Sequence, residues 1–246
     1  FDANGILVMI NVTVPVCEDA LAKAVEAYAK AAEVDVKNTK TKDIKAGLKL
    51  INSNYLDDAM NSYMFQDYAK ASDLFAKAAA TLNTAPLNEV DTTALYNAGF
   101  TAWMLKDYPR AEEYFNQCLQ AGYYYEGGEV FAKLSDIYNN TDRKDAARDI
   151  LEKGFVEFPQ SQSILIGLIN YYLESKQSPD RLFELIGEAK KNEPTNASLY
   201  YVEGNIYNEL GQKDKAVESY YKCHEINPEY EFGFIGAGIL YYERAV

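Results

Sequence analysis

Apolar and small residues recur at helical spacing in two successive segments near the C-terminal end of the chain. Each segment carries them at positions i, i+4 and i+7, the spacing of one helix face: Tyr200, Gly204 and Tyr207, then Ala216, Tyr220 and Cys223. Gly211 separates the two segments, and Pro228 follows the second, where a proline cannot continue a helix. The pattern predicts a helical hairpin, with helices at about 197–210 and up to about 226.

This hairpin pattern repeats along the chain. Pro194 precedes Pro228 by 34 residues, and Pro159 precedes Pro194 by 35. A fixed period of this size is typical of a solenoid, in which each hairpin buries its apolar face only against its neighbours. We expect an all-α protein with one continuous array over residues 1–246. Its predicted units are residues 1–35, 41–82, 92–122, 128–159, 162–194 and 196–229, with a partial unit at 230–246.

The repeats resemble the tetratricopeptide repeat over nearly the whole chain. The segments QDYAKASDLFAKA (66–78) and KDYPRAEEYF (106–115) are similar to the family's turn and second helix. The matching residues of the third unit are Leu95, Ala98, Gly99 and Ala102, then Tyr108, Ala111, Phe115 and Cys118. The resemblance implies a right-handed α-solenoid of about six repeats plus a C-terminal half repeat. It also implies a non-enzymatic scaffold that binds proteins, with no cofactor.

Several segments depart from the regular pattern. Residues 11–18, NVTVPVCE, make a longer loop than the family uses, between a first helix near Phe1 and a second helix around Tyr28. Residues 41–64 are predicted to form one unusually long helix, and residues 82–91 a surface loop. Ser178 and Pro179 are predicted to start a second helix as its N-cap and first residue.

The net charge of −13 limits the class of partner. It argues against nucleic acid, whose phosphates require Lys and Arg, and against anionic lipid. Neutral or basic partners are favoured, and no apolar run is long enough for a transmembrane segment. The chain starts at Phe1 without a methionine and is interpreted as beginning and ending inside repeats, an interpretation that allows for a targeting segment lost from the given sequence. The compartment stays open between the cytoplasm and the cell envelope.

No catalytic or metal site is expected. The one histidine, His224, follows Cys223, but adjacent helical residues do not face each other, so a nucleophile pair is disfavoured. Cys118 and Cys223 occupy the small-residue position of second helices and are predicted to be buried thiols, while Cys17 stands apart. The many carboxylates show no pair at a controlled separation and are interpreted as a solvated helix face.

A binding groove follows from the resemblance, because first helices in that family line a concave surface. The groove positions are aromatic and Met-rich in the N-terminal half and rich in asparagine in the C-terminal half. Asn170 and Asn205 share one position in successive units, with Asp136 one unit earlier, and such a ladder can bind a peptide backbone. Plain surface asparagines are the alternative. The candidate residues are Tyr96, Phe100, Trp103, Asp136, Asn139, Asn170, Tyr201, Asn205 and Asn208.

One question about this groove stays open from the sequence, and one class of ligand is disfavoured. Trp103 is either a groove anchor or part of the core. The groove positions carry no Lys or Arg, so an acidic C-terminal tail is not expected as the ligand.

Two functions are compatible with these features. The first is a scaffold or adaptor that binds a protein or peptide in the groove. The alternative is a cell-envelope receptor that binds glycan or nutrient through aromatic residues, since the chain has 21 tyrosines. The aromatic half unit after 230 would expose apolar surface, which predicts either missing downstream sequence or end-to-end self-association.

Overall fold

The computed structural model describes residues 19–176 and 178–245 of the chain. Regular structure in these residues is entirely helical, which confirms the predicted all-α class. The chain divides into two compact units, residues 1–107 and 108–246. The first helix predicted near Phe1, the loop at residues 11–18 and Cys17 lie outside the described residues.

The first unit contains four described helices. They are α1 (Ala20–Val34), α2 (Thr41–Met64), α3 (Tyr68–Leu82) and α4 (Thr92–Met104). The unusually long helix predicted for residues 41–64 is confirmed as α2. Three-residue turns allow only antiparallel neighbours, so α2 and α3 pack as a hairpin.

Polar side chains fix the ends of helices in the first unit. The carboxylate of Asp91 accepts a hydrogen bond from the backbone N–H of Ala94 at 2.9 Å and so caps α4. The buried amide of Asn52 on α2 donates both to that carboxylate at 3.1 Å and to the carbonyl of Ala78 on α3 at 2.9 Å. One side chain thereby holds three helices in register.

The predicted surface loop after α3 also contributes to the core. It spans residues 83–91, and its Leu87 is buried against Ile44 and Leu48 of α2. Tyr28 of α1 packs against the same cluster and lies over Gly47, where a Cβ atom would come within 2.2 Å of the Tyr28 ring. The loop therefore supplies an apolar contact that its polar composition does not predict.

The second unit contains eight described helices and a short 3₁₀ turn. They are α5 (Tyr108–Gln120), the turn Glu126–Gly128, α6 (Glu129–Asn140), α7 (Lys144–Glu157), α8 (Gln162–Ser175), α9 (Pro179–Asn192), α10 (Ala197–Glu209), α11 (Lys213–Ile226) and α12 (Phe232–Ala245). Gly127 and Gly128 have φ values of +59° and +82°, so this turn requires glycine at both positions. The hairpin predicted near residues 197–226 is confirmed as α10 and α11.

One predicted helix cap is wrong in its chemistry. Ser178 and Pro179 do occupy the N-cap and first positions of α9, but the Ser178 side chain makes no capping hydrogen bond. Its backbone lies in the left-handed region, with φ at +48°, which is not the extended conformation of a capping serine.

Close helix contact over small residues organises the second unit. A Cβ atom at Gly204 would lie 2.5 Å from the ring of Tyr220, so the ring of α11 rests on the bare backbone of α10. The same Tyr220 ring faces Gly236 of α12, where a Cβ atom would lie 2.8 Å away. One tyrosine thus occupies the space left by glycines on two neighbouring first helices, as ridge-and-groove packing requires.

Ion pairs connect successive repeats of the second unit at a constant register. Lys144 at the start of α7 pairs with Glu174 near the end of α8 at 3.4 Å. Lys213 at the start of α11 pairs with Glu243 near the end of α12 at 2.9 Å. Such exposed pairs contribute little to stability individually. Their recurrence shows that the ends of neighbouring repeats meet in the same way.

We predict that Gly204→Ala destabilises the protein. The added methyl group forces the buried Tyr220 ring to shift, which costs about 1–3 kcal/mol and outweighs the helix propensity gained. Urea unfolding followed by circular dichroism measures the free energy of unfolding.

The matched control is Gly187→Ala on α9, where no atom lies within 4 Å of the new Cβ position. This variant should gain about 0.5–1 kcal/mol from helix propensity. If both variants were equally stable, close packing at Gly204 would not be a constraint on the fold.

Candidate functional site

The aromatic candidates of the first unit form a stack along α4. The rings of Tyr96 and Phe100 are 6.1 Å apart with planes at 16°, and those of Phe100 and Trp103 are 5.8 Å apart with planes at 30°. Tyr96 is only 6% exposed, whereas Phe100 and Trp103 are half-buried. Tyr96 therefore offers little surface to a ligand. The exposure of Trp103 lies between that of a groove residue and that of a core residue, so it does not decide between these two alternatives.

Two methionines of α2 are further apolar side chains at groove positions in the first unit. Met60 and Met64 stand on α2 at the repeat positions that Phe100 and Met104 occupy on α4, 40 residues later. Met64 is 73% exposed and Met104 is 36% exposed. Unbranched thioether side chains adapt to differently shaped apolar partners.

The second unit contains a polar cleft between α6, α7 and α8, with a volume of about 340 Å³. Two candidate residues, Asn139 of α6 and Asn170 of α8, line it and are exposed. The other lining residues are Ser135, Lys144, Ala147, Arg148, Leu151, Gly167, Tyr171 and Glu174. The cleft thus unites two of the predicted asparagines with residues of a second helix.

The cations of the cleft are paired with carboxylates. Arg148 contacts Asp149 at 2.7 Å and Asp145 at 3.5 Å. The hydroxyl of Tyr171 donates to Asp145 at 2.9 Å, and this hydrogen bond raises the pKa of Tyr171 and keeps it protonated. Together with the pair between Lys144 and Glu174, these contacts leave no strong excess of positive charge.

Three of the remaining candidates are held by contacts within their own repeat or with the next one. Asp136 accepts a hydrogen bond from the amide of Asn140 at 3.1 Å. Asn205 accepts one from the hydroxyl of Tyr220 at 2.8 Å. Tyr201 lies in an aromatic cluster with Tyr220, Tyr230 and Phe232, with ring centroids 5.8–6.2 Å apart, and Asn208 is half-buried. Asn170 therefore shares the cleft with Asn139. Asp136 and Asn205, which occupy the same repeat position as Asn170 in neighbouring units, do not line it.

Sequence reasoning missed the contribution of α7 to this cleft. It considered only first helices, and on that basis found no Lys or Arg among the groove positions. Lys144 and Arg148 of the second helix α7 also line the cleft, so cations lie beside the first-helix positions that were considered from the sequence. The repeated spacing of 30 residues between Lys144 and Glu174 and between Lys213 and Glu243 is a signal in the sequence that could have shown their proximity.

The two described cysteines and His224 are not arranged as a reactive pair. Cys118 and Cys223 are buried, as predicted, and burial raises the pKa of their thiols to about 12 and about 11. The thiol of Cys223 donates to the carbonyl of Ala197 at 3.0 Å, while the ring of His224 packs on Phe234 at 4.3 Å. Among residues 19–176 and 178–245, no three His, Cys, Asp or Glu side chains could together hold a metal ion.

We predict that both buried thiols resist Ellman's reagent at pH 8 in the folded protein. A raised pKa leaves almost no thiolate, whereas roughly a quarter of an unfolded thiol is ionised at this pH. A Cys17→Ser background removes the thiol outside the described residues. The reaction, followed by absorbance, should be at least about 100-fold slower than in urea. Rapid labelling of either cysteine in the folded chain would contradict its burial.

Comparison with known proteins identifies the repeat at two places. The model of the family described as tetratricopeptide repeat matches residues 92–121 and residues 197–230. A TPR repeat-containing protein of Methanocaldococcus jannaschii is 25% identical over 198 residues, which are 74% of this chain. The chain spans about a third of the length of that relative, 34%.

Solved structures with the same fold include several TPR proteins. YrrB, described as a TPR protein with an unusual peptide-binding site, is 20% identical with a TM-score of 0.55, covering 86% of this chain and 97% of YrrB. A MamA protein is 20% identical with a TM-score of 0.58, over 72% of this chain and 92% of MamA. PilF of Pseudomonas aeruginosa is 13% identical with a TM-score of 0.54, over 91% and 99% of the two chains.

Proposed function

Because the chain is a tetratricopeptide repeat protein, we propose that it is a non-enzymatic adaptor that binds a protein or peptide partner. The observation that carries the proposal is the cleft of about 340 Å³ in the second unit, which Asn139 and Asn170 both line. No described helix is both long and apolar enough to cross a membrane.

The cleft has the chemistry to hold an extended peptide segment. A side-chain amide both donates and accepts hydrogen bonds, so Asn139 and Asn170 can pair with backbone groups whatever the peptide sequence. Gly167 carries no side chain, and a Cβ atom there would lie 2.7 Å from Leu151, so the Leu151 side chain packs on the bare backbone of α8 and gives the cleft an apolar part. Its volume is at the lower end of ligand sites and suits a few residues of a peptide.

Charge favours a neutral or basic partner. The cations Lys144 and Arg148 are already paired with Glu174, Asp145 and Asp149, so an acidic peptide would have to displace those carboxylates. The net charge of −13 also steers basic partners towards the chain.

The first unit supports the proposal with apolar anchors. The half-buried rings of Phe100 and Trp103 and the exposed Met60 and Met64 form a surface on which aromatic or aliphatic side chains can pack. Aromatic residues of this kind contribute most of the energy in many interfaces.

We predict that Asn139→Ala combined with Asn170→Ala weakens peptide binding at least 10-fold. Each lost hydrogen bond contributes about 0.5–1.5 kcal/mol, and 1.4 kcal/mol corresponds to a factor of ten. Peptides enriched on the native protein from a displayed library of random 16-residue sequences provide the probe. Their dissociation constants are then measured by isothermal titration calorimetry.

The matched control is Asn192→Ala, an exposed asparagine at the end of α9. This variant should bind within twofold of the native protein, and the enriched peptides should carry a neutral or positive net charge. Equal affinity of the double variant and the control would contradict the cleft as the peptide site.

A glycan or nutrient receptor is the second candidate function. It is favoured by the partly exposed rings of Phe100 and Trp103, since aromatic faces stack on sugar rings. Against it, one face of Trp103 is already stacked on Phe100.

We predict that sugars leave the fluorescence of the protein unchanged. Trp103 is the only tryptophan, so its emission reports ring stacking at this position without interference. A panel of mono- and oligosaccharides is titrated to millimolar concentration, with an enriched peptide as the positive control. Saturable quenching by one sugar, absent in Phe100→Ala, would favour the receptor function instead.

A further inference from the structure

A second cleft lies one repeat further along the same unit, between α8, α9 and α10. Its volume is about 320 Å³, close to that of the polar cleft described above. Its apolar lining residues, which give it the name apolar cleft, are Leu173, Pro179, Leu182, Ile206 and Leu210. The helices α11 and α12 follow it in the chain, so it lies between described repeats and not at the end of the array.

The two clefts occupy the same place in successive repeats. Four lining positions of the polar cleft recur in the apolar cleft 35 residues later. The corresponding residues are Lys144 and Pro179, Ala147 and Leu182, Tyr171 and Ile206, and Glu174 and Glu209. At the first three positions a charged, a small or a hydroxyl-bearing side chain is replaced by a larger or purely apolar one. The second repeat therefore offers a similar cavity with a different chemistry.

The apolar cleft suits a large apolar side chain of a ligand. Leu182 and Ile206 are each only 4% exposed, while Leu210 is 41% exposed. Water binds weakly where few polar partners are present, and side chains that face a gap lose dispersion contacts. An apolar side chain from a partner restores those contacts and displaces the water.

The polar groups of this cleft are already engaged. The hydroxyl of Tyr172 donates to Glu152 at 2.9 Å. Lys176 and Glu209 form an ion pair at 3.9 Å, and both side chains are exposed. The opposite charges cancel, and an exposed pair of this kind contributes little to stability. The lining therefore provides no strong attraction for a charged side chain.

The helix α8 connects the two clefts. Asn170 lines the polar cleft, and Leu173, three residues later, lines the apolar one. Residues three apart on a helix are neighbours, with Cβ atoms about 5–6 Å apart. An extended chain rises about 3.3 Å per residue and returns a side chain to the same face at every second residue. A peptide bound at Asn170 therefore brings a side chain two residues away to Leu173.

We propose that the apolar cleft is the specificity pocket of the peptide site. It takes the side chain of a Leu, Ile, Met or Phe that lies about two residues from the peptide group bound at Asn170. The asparagines pair with backbone groups and do not select a sequence, whereas the pocket does. The inference rests on the proposed peptide binding, and it names the class of peptide that binds.

The first arm of the test reads this preference from the ligand. The 16-residue peptides enriched on the native protein should share one large apolar residue. Replacing that residue with alanine should weaken binding about 10-fold or more in isothermal titration calorimetry, because its buried apolar area is lost. This arm uses the unchanged protein, so it does not depend on the folding of a variant.

The second arm changes the pocket. Leu173→Gln combined with Leu210→Gln introduces polar amides and should weaken the enriched peptides about 10-fold or more. On this variant the alanine replacement in the peptide should cost less than about twofold, because the contact is already lost. The matched control Val156→Gln, at an exposed position of α7, should bind within about twofold of the native protein. Circular dichroism checks that both variants are folded.

The third arm tests the position of the pocket beside Asn170. In a Cys17→Ser background, Leu173→Cys should form a disulfide with a peptide that carries cysteine in place of the shared apolar residue. Asn170→Cys should instead trap a peptide whose cysteine lies two residues to one side of that position. Val156→Cys should trap neither peptide, since it lies in neither cleft.

The outcomes separate the pocket from the polar cleft. Enriched peptides without a shared apolar residue, or equal affinity of the Gln double variant and Val156→Gln, would overturn the pocket. If Asn139→Ala combined with Asn170→Ala still weakened binding, peptide binding in the polar cleft would stand alone. If neither pair of substitutions weakened binding, or no peptide were enriched, both proposals would be wrong.

Discussion

Close contact between a bare helix backbone and an aromatic ring is the interaction on which the repeats of the second unit depend. Tyr220 of α11 lies on Gly204 of its own repeat and on Gly236 of the next one. A side chain at either glycine would push the helices apart, because the ring has no room to retreat in a packed interior. Since one residue fixes two neighbouring helices, the distance between repeats is set by the same contact that closes each hairpin. The ion pairs at the repeat ends then need only to align helices that are already in place.

The same constraint explains what the sequence could predict. Glycine, alanine and aromatic residues at fixed spacing indicate where helices end and cross, so the bounds of α10 and of the long helix α2, and the end of α11, were predicted to within one residue. Residues whose role depends on long-range contacts were not predicted correctly. Leu87 lies in a polar segment, yet it is buried against α2, and nothing in its local pattern predicts that contact. The capping role predicted for Ser178 required an extended backbone, whereas Ser178 has a φ of +48° and makes no capping hydrogen bond.

The candidate site was predictable only in part, for a related reason. Repeat register places a residue on a helix face, but it does not give the depth of that residue or the hydrogen bonds of its side chain. Asn170 and Asn205 share a register position, yet only Asn205 is held by the hydroxyl of a tyrosine in its own hairpin. Tyr96 and Phe100 are one helical turn apart and stacked, and still one is buried while the other is half-buried. The cleft at Asn139 and Asn170 depends on how three helices diverge, which no single helical pattern encodes.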